Sequence, residues 1–171
     1  ELLRLAGEEE APRAFALLAE WGLVELRPGG VELVRSTAEL LGSEPWSGEA
    51  PRARALLVAA LGPAGGEEAL ARERPDRPSD GVGLAASRDS VELVLARALG
   101  AEWLDRYLAE WRGVSLEIDG SDLMAAGVPQ GPALGRGLRE ALRRKLDGEI
   151  SGREQELAVA VEAAGSEDGV A

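Results

Sequence analysis

The chain contains no cysteine and no histidine, and its only lysine is Lys145. The missing cysteine excludes a disulfide framework and thiol chemistry, and the missing histidine removes the usual general base and the Ser-His-Asp triad. Most transition-metal sites are excluded for the same reason. An enzyme of this composition would depend on carboxylates with a metal or on lysine, and Lys145 lies in an ordinary helical pattern.

Positive charge is also scarce. The chain has 19 lysine and arginine residues against 31 aspartate and glutamate residues, which gives a net charge of -12 and an isoelectric point near 4.6. Such a charge keeps a protein soluble and repels nucleic acid at long range. Any nucleic-acid-binding function must therefore come from a local basic element.

Long apolar runs are missing as well. No run approaches the roughly 20 residues that a membrane-spanning helix needs, and the N-terminus lacks the pattern of a signal peptide. We expect a cytoplasmic protein without a membrane partner. The chain begins at Glu1, without methionine and inside a helical pattern, so we expect a fragment of a longer protein.

Apolar residues recur at helical spacing, and no stretch keeps the alternation with period two that a half-buried strand requires. The predicted fold class is all-α, a helical bundle of stacked helical hairpins without a substantial sheet. Composition predicts a helical body subdomain over 1–62, a flexible connector over 63–86 and a helical tail subdomain over 87–171. Trp46 is expected at the edge of the core, and the last residues, 165–171, are expected to fray.

The most informative stretch runs from Ile118 to Gly148. A short helix is predicted from Asp122 to Ala126, followed by a stop at Gly127, a turn, and an arginine-rich helix that begins at Pro132. Glycine at position 131 permits a tight turn and the close approach of another backbone. The hairpin therefore directs free backbone amides, followed by arginines, toward one place that suits a phosphate.

The basic helix is predicted to be amphipathic. At 100° per residue its leucines cluster on one side, and Arg136, Arg139 and Arg143 fall on the opposite face. Between positions 128 and 146, five positive residues, Lys145 among them, stand against one negative residue. The functional interpretation is that this face of the helix binds successive phosphates of a nucleic-acid backbone. The structural alternative, a solvated face whose cations favour the C-terminal helix dipole, is preferred on the pattern alone.

Two further sets of residues have competing interpretations. Trp103, Tyr107 and Trp111 could stack on bases, but a stripe at this spacing is more typical of a core. Arg112, directly after them, is better placed for a backbone contact. The acidic residues Asp76, Asp80, Asp119 and Asp122 lack the spacing of a calcium loop, so no metal or catalytic site is predicted from them.

The hairpin resembles a known family. It is similar to the C-terminal motif of bacterial tRNA nucleotidyltransferases of the CCA-adding and poly(A) polymerase family. The matching residues are Ile118-Asp-Gly-Ser-Asp-Leu-Met-Ala-Ala-Gly, followed by Gly131-Pro-Ala-Leu-Gly135 and a helix ending in Leu146-Asp-Gly148. Two further segments resemble upstream helices of the same family. They are Phe15-Ala-Leu-Leu-Ala-Glu-Trp-Gly-Leu-Val and Tyr107-Leu-Ala-Glu-Trp-Arg112. The stretch from Gly62 to Asp80 is unmatched.

The resemblance implies a role in RNA binding. In that family an N-terminal head performs the catalysis with paired aspartates, Mg²⁺ and nucleoside triphosphates, and nothing in this chain matches the head. The resemblance therefore implies a non-catalytic region, with no cofactor of its own, that holds tRNA or another structured RNA by its backbone beside the catalytic head. Two rivals stay open, a helical protein-interaction or oligomerisation module and a stand-alone enzyme. The predicted RNA-binding residues are Arg112, Gly131, Arg136, Arg139, Arg143 and Lys145.

Overall fold

The computed structural model describes residues 1–63 and 65–166. Over these residues the chain is helical, and no β-strand is present in the described part, which confirms the all-α prediction. The helices are α1 (Leu2–Gly7), α2 (Ala11–Glu20), α3 (Gly30–Leu40), α4 (Arg52–Leu61), α5 (Gly66–Arg72), α6 (Pro78–Ala85), α7 (Ser90–Ala98), α8 (Trp103–Arg106), α9 (Gly120–Ala125), α10 (Pro132–Leu146) and α11 (Arg153–Gly165). Of the stretch predicted to fray, 167–171 lie outside the described residues.

One predicted helix takes a different form. The helical spacing of Trp103, Tyr107 and Trp111 predicts one α-helix over 101–112, but the structure has the short helix α8 followed by a π-helical turn over Tyr107–Trp111. The side chains of Tyr107 and Trp111 are buried, so the core interpretation of these two aromatic residues is confirmed.

The chain divides into two compact units. Unit 1 contains residues 1–76 and 81–109, and unit 2 contains 77–80 together with the chain from residue 110 onward. This division differs from the predicted subdomains because α7 belongs to unit 1, where it packs against α3, α4 and α5. Five of the nine residues of α7 are buried, and such a helix lies in the middle of a bundle rather than at the start of a separate tail.

The core of unit 1 is built around large side chains that are fully buried, namely Phe15, Val34, Trp46, Leu56, Leu95 and Leu104. Trp46 lies in the loop after α3 and is 1% exposed, as the sequence suggested. Its indole Nε1 donates a hydrogen bond of 2.7 Å to Asp105 Oδ1, which also accepts one of 2.8 Å from Arg97 Nε. This polar contact fixes the loop against the start of α8.

The stretch predicted to be a connector contains two helices, α5 and α6. Arg27 forms ion pairs with α5. Its largely buried guanidinium lies 2.8 Å from Glu67 and 2.9 Å from Glu68. The N-terminus of α6 is held by Asp147, whose carboxylate accepts hydrogen bonds from the backbone amide and the hydroxyl of Ser79. Whether the stretch is flexible stays a prediction, but Glu67, Glu68 and Ser79 within it contact parts of the chain that are distant in sequence.

Unit 2 is organised around the pair α10 and α11. Its core contains Ile118, Leu123, Val128, Ala141, Val159, Ala160 and Ala164. Leu134 and Leu138 pack against this cluster from α10, and Gly137 lies against the backbone of Ala160. The opposite face of α10 is therefore turned away from the core.

Candidate nucleic-acid interface

The hairpin between α9 and α10 is built largely as the sequence predicts. Asp119 caps α9, since its Oδ1 accepts hydrogen bonds from the amides of Ser121 and Asp122, and Asp122 Oδ2 accepts one from the amide of Asp119. These form a capping box. Hydrogen bonds from the Ser121 hydroxyl and amide lower the pKa of Asp119, so the cap is ionised at neutral pH.

The end of α9 is fixed by Gly127. Its φ of 94° lies in the left-handed region, its amide donates to Met124, and the next amide, of Val128, donates to Leu123. This pair of bonds is a Schellman motif, and the buried side chains of Leu123 and Val128 complete it. The turn that follows is therefore held by the core of unit 2.

The N-terminus of α10 is built from uncharged residues. Gly131 is the N-cap residue with φ 155° and no side-chain cap, Pro132 is at the first helical position, and the first turn contains no aspartate or glutamate. The helix dipole and the amides of this turn favour an anion. Gly131 has only its backbone to offer to a ligand, and its predicted contact with RNA stays a prediction.

The structure brings Arg136, Arg139 and Arg143 onto the face of α10 opposite to the buried Gly137 and Ala141. These three arginines are placed as the helical wheel predicts, but their surroundings differ. Arg139 is exposed, and it makes no hydrogen bond or ion pair with any other described residue. Its Nη1 lies 3.2 Å from the place of a Cβ on Gly135, so the guanidinium folds back toward the N-terminus of the helix.

Arg136 is used to hold α11. Its Nη2 donates a hydrogen bond of 3.3 Å to the carbonyl oxygen of Ala164, in the last turn of α11. That carbonyl is one of those that the end of a helix leaves without a partner. The Nε atom of Arg136 is buried and has no hydrogen-bond partner among the described residues. Arg136 is therefore less available to a ligand than Arg139.

Arg143 is surrounded by carboxylates. It makes a two-pronged contact with Glu140, with 2.8 Å for both hydrogen bonds, and a third bond of 3.2 Å to Asp147. Glu140 also accepts a bond of 2.8 Å from Arg144. Hydrogen bonding to Arg143 is the main cause that lowers the pKa of Glu140 to about 2, and the same contact raises the pKa of Arg143.

Lys145 points to the other face of α10. Its Nζ lies 2.5 Å from Glu156 Oε1, and Glu156 is fully buried on α11 and also accepts the amide of Glu117. The hydrogen bond to Glu156 raises the pKa of Lys145. The structure thus places Lys145 in an internal ion pair, apart from the arginines with which the sequence grouped it.

Arg112 and Arg77 lie on other segments. Arg112 is exposed directly after the π-helical turn, outside α10. Arg77, which the sequence did not single out, lies 3.3 Å from Glu149 and 3.8 Å from Asp147, the carboxylates that also contact Arg143. No local signal could have found Arg77, because its position near α10 depends on the Asp147 contact with Ser79.

Neither metal binding nor membrane insertion gains support from the geometry. Within the described chain, no three acidic side chains are grouped so that they could hold a metal ion. Every helix of residues 1–63 and 65–166 is too short or too polar to cross a bilayer.

Comparison with known proteins gives one partial similarity. A segment of 64 residues, 37% of this chain, is 34% identical to an A-adding tRNA nucleotidyltransferase of Geobacter sulfurreducens and covers 7% of that protein's length. No family profile matches the chain, and no solved structure matches it. The similarity indicates a relationship to the tRNA nucleotidyltransferases over that segment.

Proposed function

We propose that this chain is the RNA-binding region of a tRNA nucleotidyltransferase-like or poly(A) polymerase-like protein. It would hold a tRNA-like stem by its phosphate backbone while a separate catalytic head, with Mg²⁺ and a nucleoside triphosphate, adds nucleotides to the 3' end. The chain alone would not be catalytic. The partial similarity to an A-adding tRNA nucleotidyltransferase supports this assignment.

The observation that carries the proposal is the position of Arg139. It is an exposed cation without a carboxylate partner among the described residues, and it folds toward an uncapped helix N-terminus whose first turn contains no acidic residue. A guanidinium and helix-terminal amides are the donors that proteins use for phosphates. Contacts of this kind read shape and charge rather than base identity.

The net charge of the chain predicts weak binding. At -12 it opposes RNA at long range, so the affinity should fall steeply as salt rises. Arg143 is partly neutralised by its neighbours, and Arg136 and Lys145 hold the fold. The RNA contacts at these positions, and at Arg112, stay predictions, and Arg139 is the position whose replacement tests the surface most directly.

The test is a binding titration of the chain with a labelled tRNA that lacks its terminal CCA, at roughly 50 mM and 200 mM salt. Arg139→Glu should weaken binding about tenfold, because a hydrogen bond to a charged group contributes about 1.5 kcal/mol. Arg35→Glu, an exposed arginine of α3 without an ion pair among the described residues, changes the net charge equally and serves as the control. Absence of binding at the lower salt, or equal effects of both variants, would refute the proposal.

A second candidate is the protein-interaction module. The exposed side chains of Trp21 and Leu23, 65% and 67% exposed after the end of α2, favour it. If these two residues bind a second copy, sedimentation should show a dimer that Trp21→Ala with Leu23→Ser abolishes. A monomer at all concentrations would remove self-association from consideration.

A further inference from the structure

Three arginine side chains of unit 2 surround one exposed carboxylate, that of Glu149. Arg77 Nη1 lies 3.3 Å from Glu149 Oε1, and Arg143 Nη1 lies 3.7 Å from the same oxygen. Arg144 Nε lies 4.0 Å from the other oxygen, Oε2. The arginines come from two distant parts of the sequence, so the cluster exists only in the folded unit.

Glu149 is the most weakly held of the carboxylates in this cluster. Glu140 accepts hydrogen bonds of 2.8 Å from both Arg143 and Arg144, and the nearly buried Asp147 accepts one of 3.2 Å from Arg143. Bonds between a guanidinium and a carboxylate are typically about 2.7–2.9 Å long. All three contacts of Glu149 are longer than this range, and its side chain is 41% exposed, so it can be displaced at little cost.

The charges of the cluster balance only while Glu149 is present. Three guanidinium groups meet three carboxylates, Glu140, Asp147 and Glu149. When the side chain of Glu149 turns into solvent, one positive charge is left without a partner. A phosphodiester group, which carries a single negative charge, replaces that carboxylate without a change in the charge of the cluster.

We propose that Arg77, Arg143 and Arg144 form a phosphate-binding site that Glu149 occupies in the free protein and leaves when RNA binds. The ligand is a phosphodiester of the RNA strand, so the inference rests on the proposed function. Arg143 lies one helical turn beyond Arg139, about 6 Å along the axis of α10. The site thus extends the surface of Arg139 toward the C-terminus of the helix, and Glu149 competes with the ligand.

The site has chemistry that suits a phosphate. Guanidinium groups present planar forks that match phosphate oxygens, and arginine is preferred over lysine wherever such groups are recognised. The two oxygens of Glu149 cannot reach all three arginines at hydrogen-bond distance, as the lengths of 3.7 and 4.0 Å show. Arg143 and Arg144 therefore contact Glu149 only weakly, and a phosphate that takes its place has little to displace at these two arginines.

The experiment compares four proteins, the unchanged chain, Glu149→Gln, Arg77→Gln and the double variant, by titration with the tRNA that lacks CCA. Glu149→Gln should tighten binding about two- to fivefold, the range that corresponds to release of an exposed ion pair. The dependence of the affinity on salt should keep its slope, because the same number of phosphates is contacted in both complexes. In the double variant, Arg77→Gln should abolish the tighter RNA binding of Glu149→Gln. Removing the competing carboxylate strengthens binding only if the arginines of the site bind a phosphate.

Glu154→Gln provides the matched control. Glu154 is an exposed residue of unit 2 without an ion pair among the described residues, and its change alters the net charge by the same amount. If Glu154→Gln tightens binding as much as Glu149→Gln, or if the gain persists in the double variant, the inference is refuted.

Failure of the proposed function can be separated from failure of this site. If none of the folded proteins binds RNA at roughly 50 mM salt, the RNA proposal fails. Inorganic phosphate is then titrated into Glu149→Gln, and the side-chain resonances of Arg77, Arg143 and Arg144 are followed by NMR. Saturable shifts of these resonances that are absent from the unchanged chain support the anion site, and their absence refutes it.

Discussion

Gly137 of α10 lies directly against the backbone of Ala160 in α11, so that a Cβ at this position would collide with the Ala160 carbonyl oxygen. The same Cβ would come within 3.0 Å of Leu123 Cδ2 in the core of unit 2. Because a backbone carbonyl cannot move aside as a flexible side chain can, the close packing of α10 on α11 depends on the missing side chain.

We expect Gly137→Ala to lower the free energy of unfolding by about 1–3 kcal/mol, the usual range for an overpacked core. This loss should exceed the gain of up to about 1 kcal/mol that alanine brings to a helix interior. Urea unfolding followed by circular dichroism measures the difference. A variant as stable as the unchanged chain would show that the two helices do not pack this closely.

Gly135→Ala, two residues earlier, is the matched control. A Cβ there would meet only the Nη1 atom at the far end of the long Arg139 side chain, at 3.2 Å. We expect this variant to be more stable than the unchanged chain by a few tenths of a kcal/mol and up to about 1 kcal/mol. A loss of stability in Gly137→Ala together with a gain in Gly135→Ala would therefore identify Gly137 as the position where α10 packs on α11.

Most helices could be predicted because their signals are local. Asp89 caps α7 through the amide of Val91, and Gly127 ends α9 in the left-handed conformation, as their residue types suggest. The helices α5 and α6 were missed because their stabilising contacts are distant in sequence. Two such contacts are Arg27 with Glu67 and Asp147 with Ser79. Because Arg27 and Asp147 lie outside the glycine- and proline-rich stretch, its own sequence does not show these contacts.

The candidate site could be predicted in part for the same reason. Helical spacing places Arg136 and Arg139 on one face, but only the fold shows that Arg136 meets the carbonyl of Ala164 and that Arg139 lacks such a partner among the described residues. The count of charges over 128–146 omitted Asp147 and Glu149, which contact Arg143 just after the helix. Lys145 was grouped with the arginines because the buried acceptor, Glu156, comes from another helix.

The pair of Lys145 and Glu156 gives a second prediction. Lys145→Met leaves the fully buried Glu156 carboxylate with the amide of Glu117 as its remaining partner among the described residues. We expect a loss of about 3 kcal/mol, at the lower end for a broken buried pair, because the ammonium group keeps some access to solvent. Lys145→Met combined with Glu156→Met should recover most of the stability, as measured by urea unfolding.

The raised pKa of Lys145 also sets the direction of a pH dependence. Its folded-state pKa lies above the ordinary 10.5, so the stabilisation is complete below pH 10.5 and is lost as the pH rises through the folded-state value. The stability difference between the unchanged chain and Lys145→Met should therefore shrink in strong alkali. A difference that stays constant would mean that the ion pair does not stabilise unit 2.

Glu140 predicts the opposite dependence on pH. Its pKa falls from the ordinary 4.5 to about 2, mainly through the hydrogen bonds from Arg143, so its contribution is complete above pH 4.5 and is lost as the pH falls toward 2. Unfolding of Glu140→Gln and of the unchanged chain, compared from pH 7 to pH 3, should show a difference that declines only below about pH 4.5. Glu154→Gln, which lacks such a partner among the described residues, should show no comparable decline.

In unit 1, Asp105 gives a prediction that is independent of the proposed RNA-binding surface. Its burial would raise its pKa, but the hydrogen bonds from Arg97 and Trp46 lower it, so the carboxylate is ionised at neutral pH and accepts both donors. Asp105→Ala leaves the buried indole N–H of Trp46 without its acceptor, and we expect a loss of about 1–3 kcal/mol in unfolding free energy.

Two companion variants decide whether this loss comes from the indole. Arg97→Gln removes the more exposed donor and should cost less than about 1 kcal/mol, as for a surface pair. In a background of Trp46→Phe, where no indole N–H needs an acceptor, Asp105→Ala should cost distinctly less than it does in the unchanged chain. Equal losses in both backgrounds would mean that Asp105 stabilises unit 1 without holding Trp46, whose loop would then be fixed by packing of the buried ring alone.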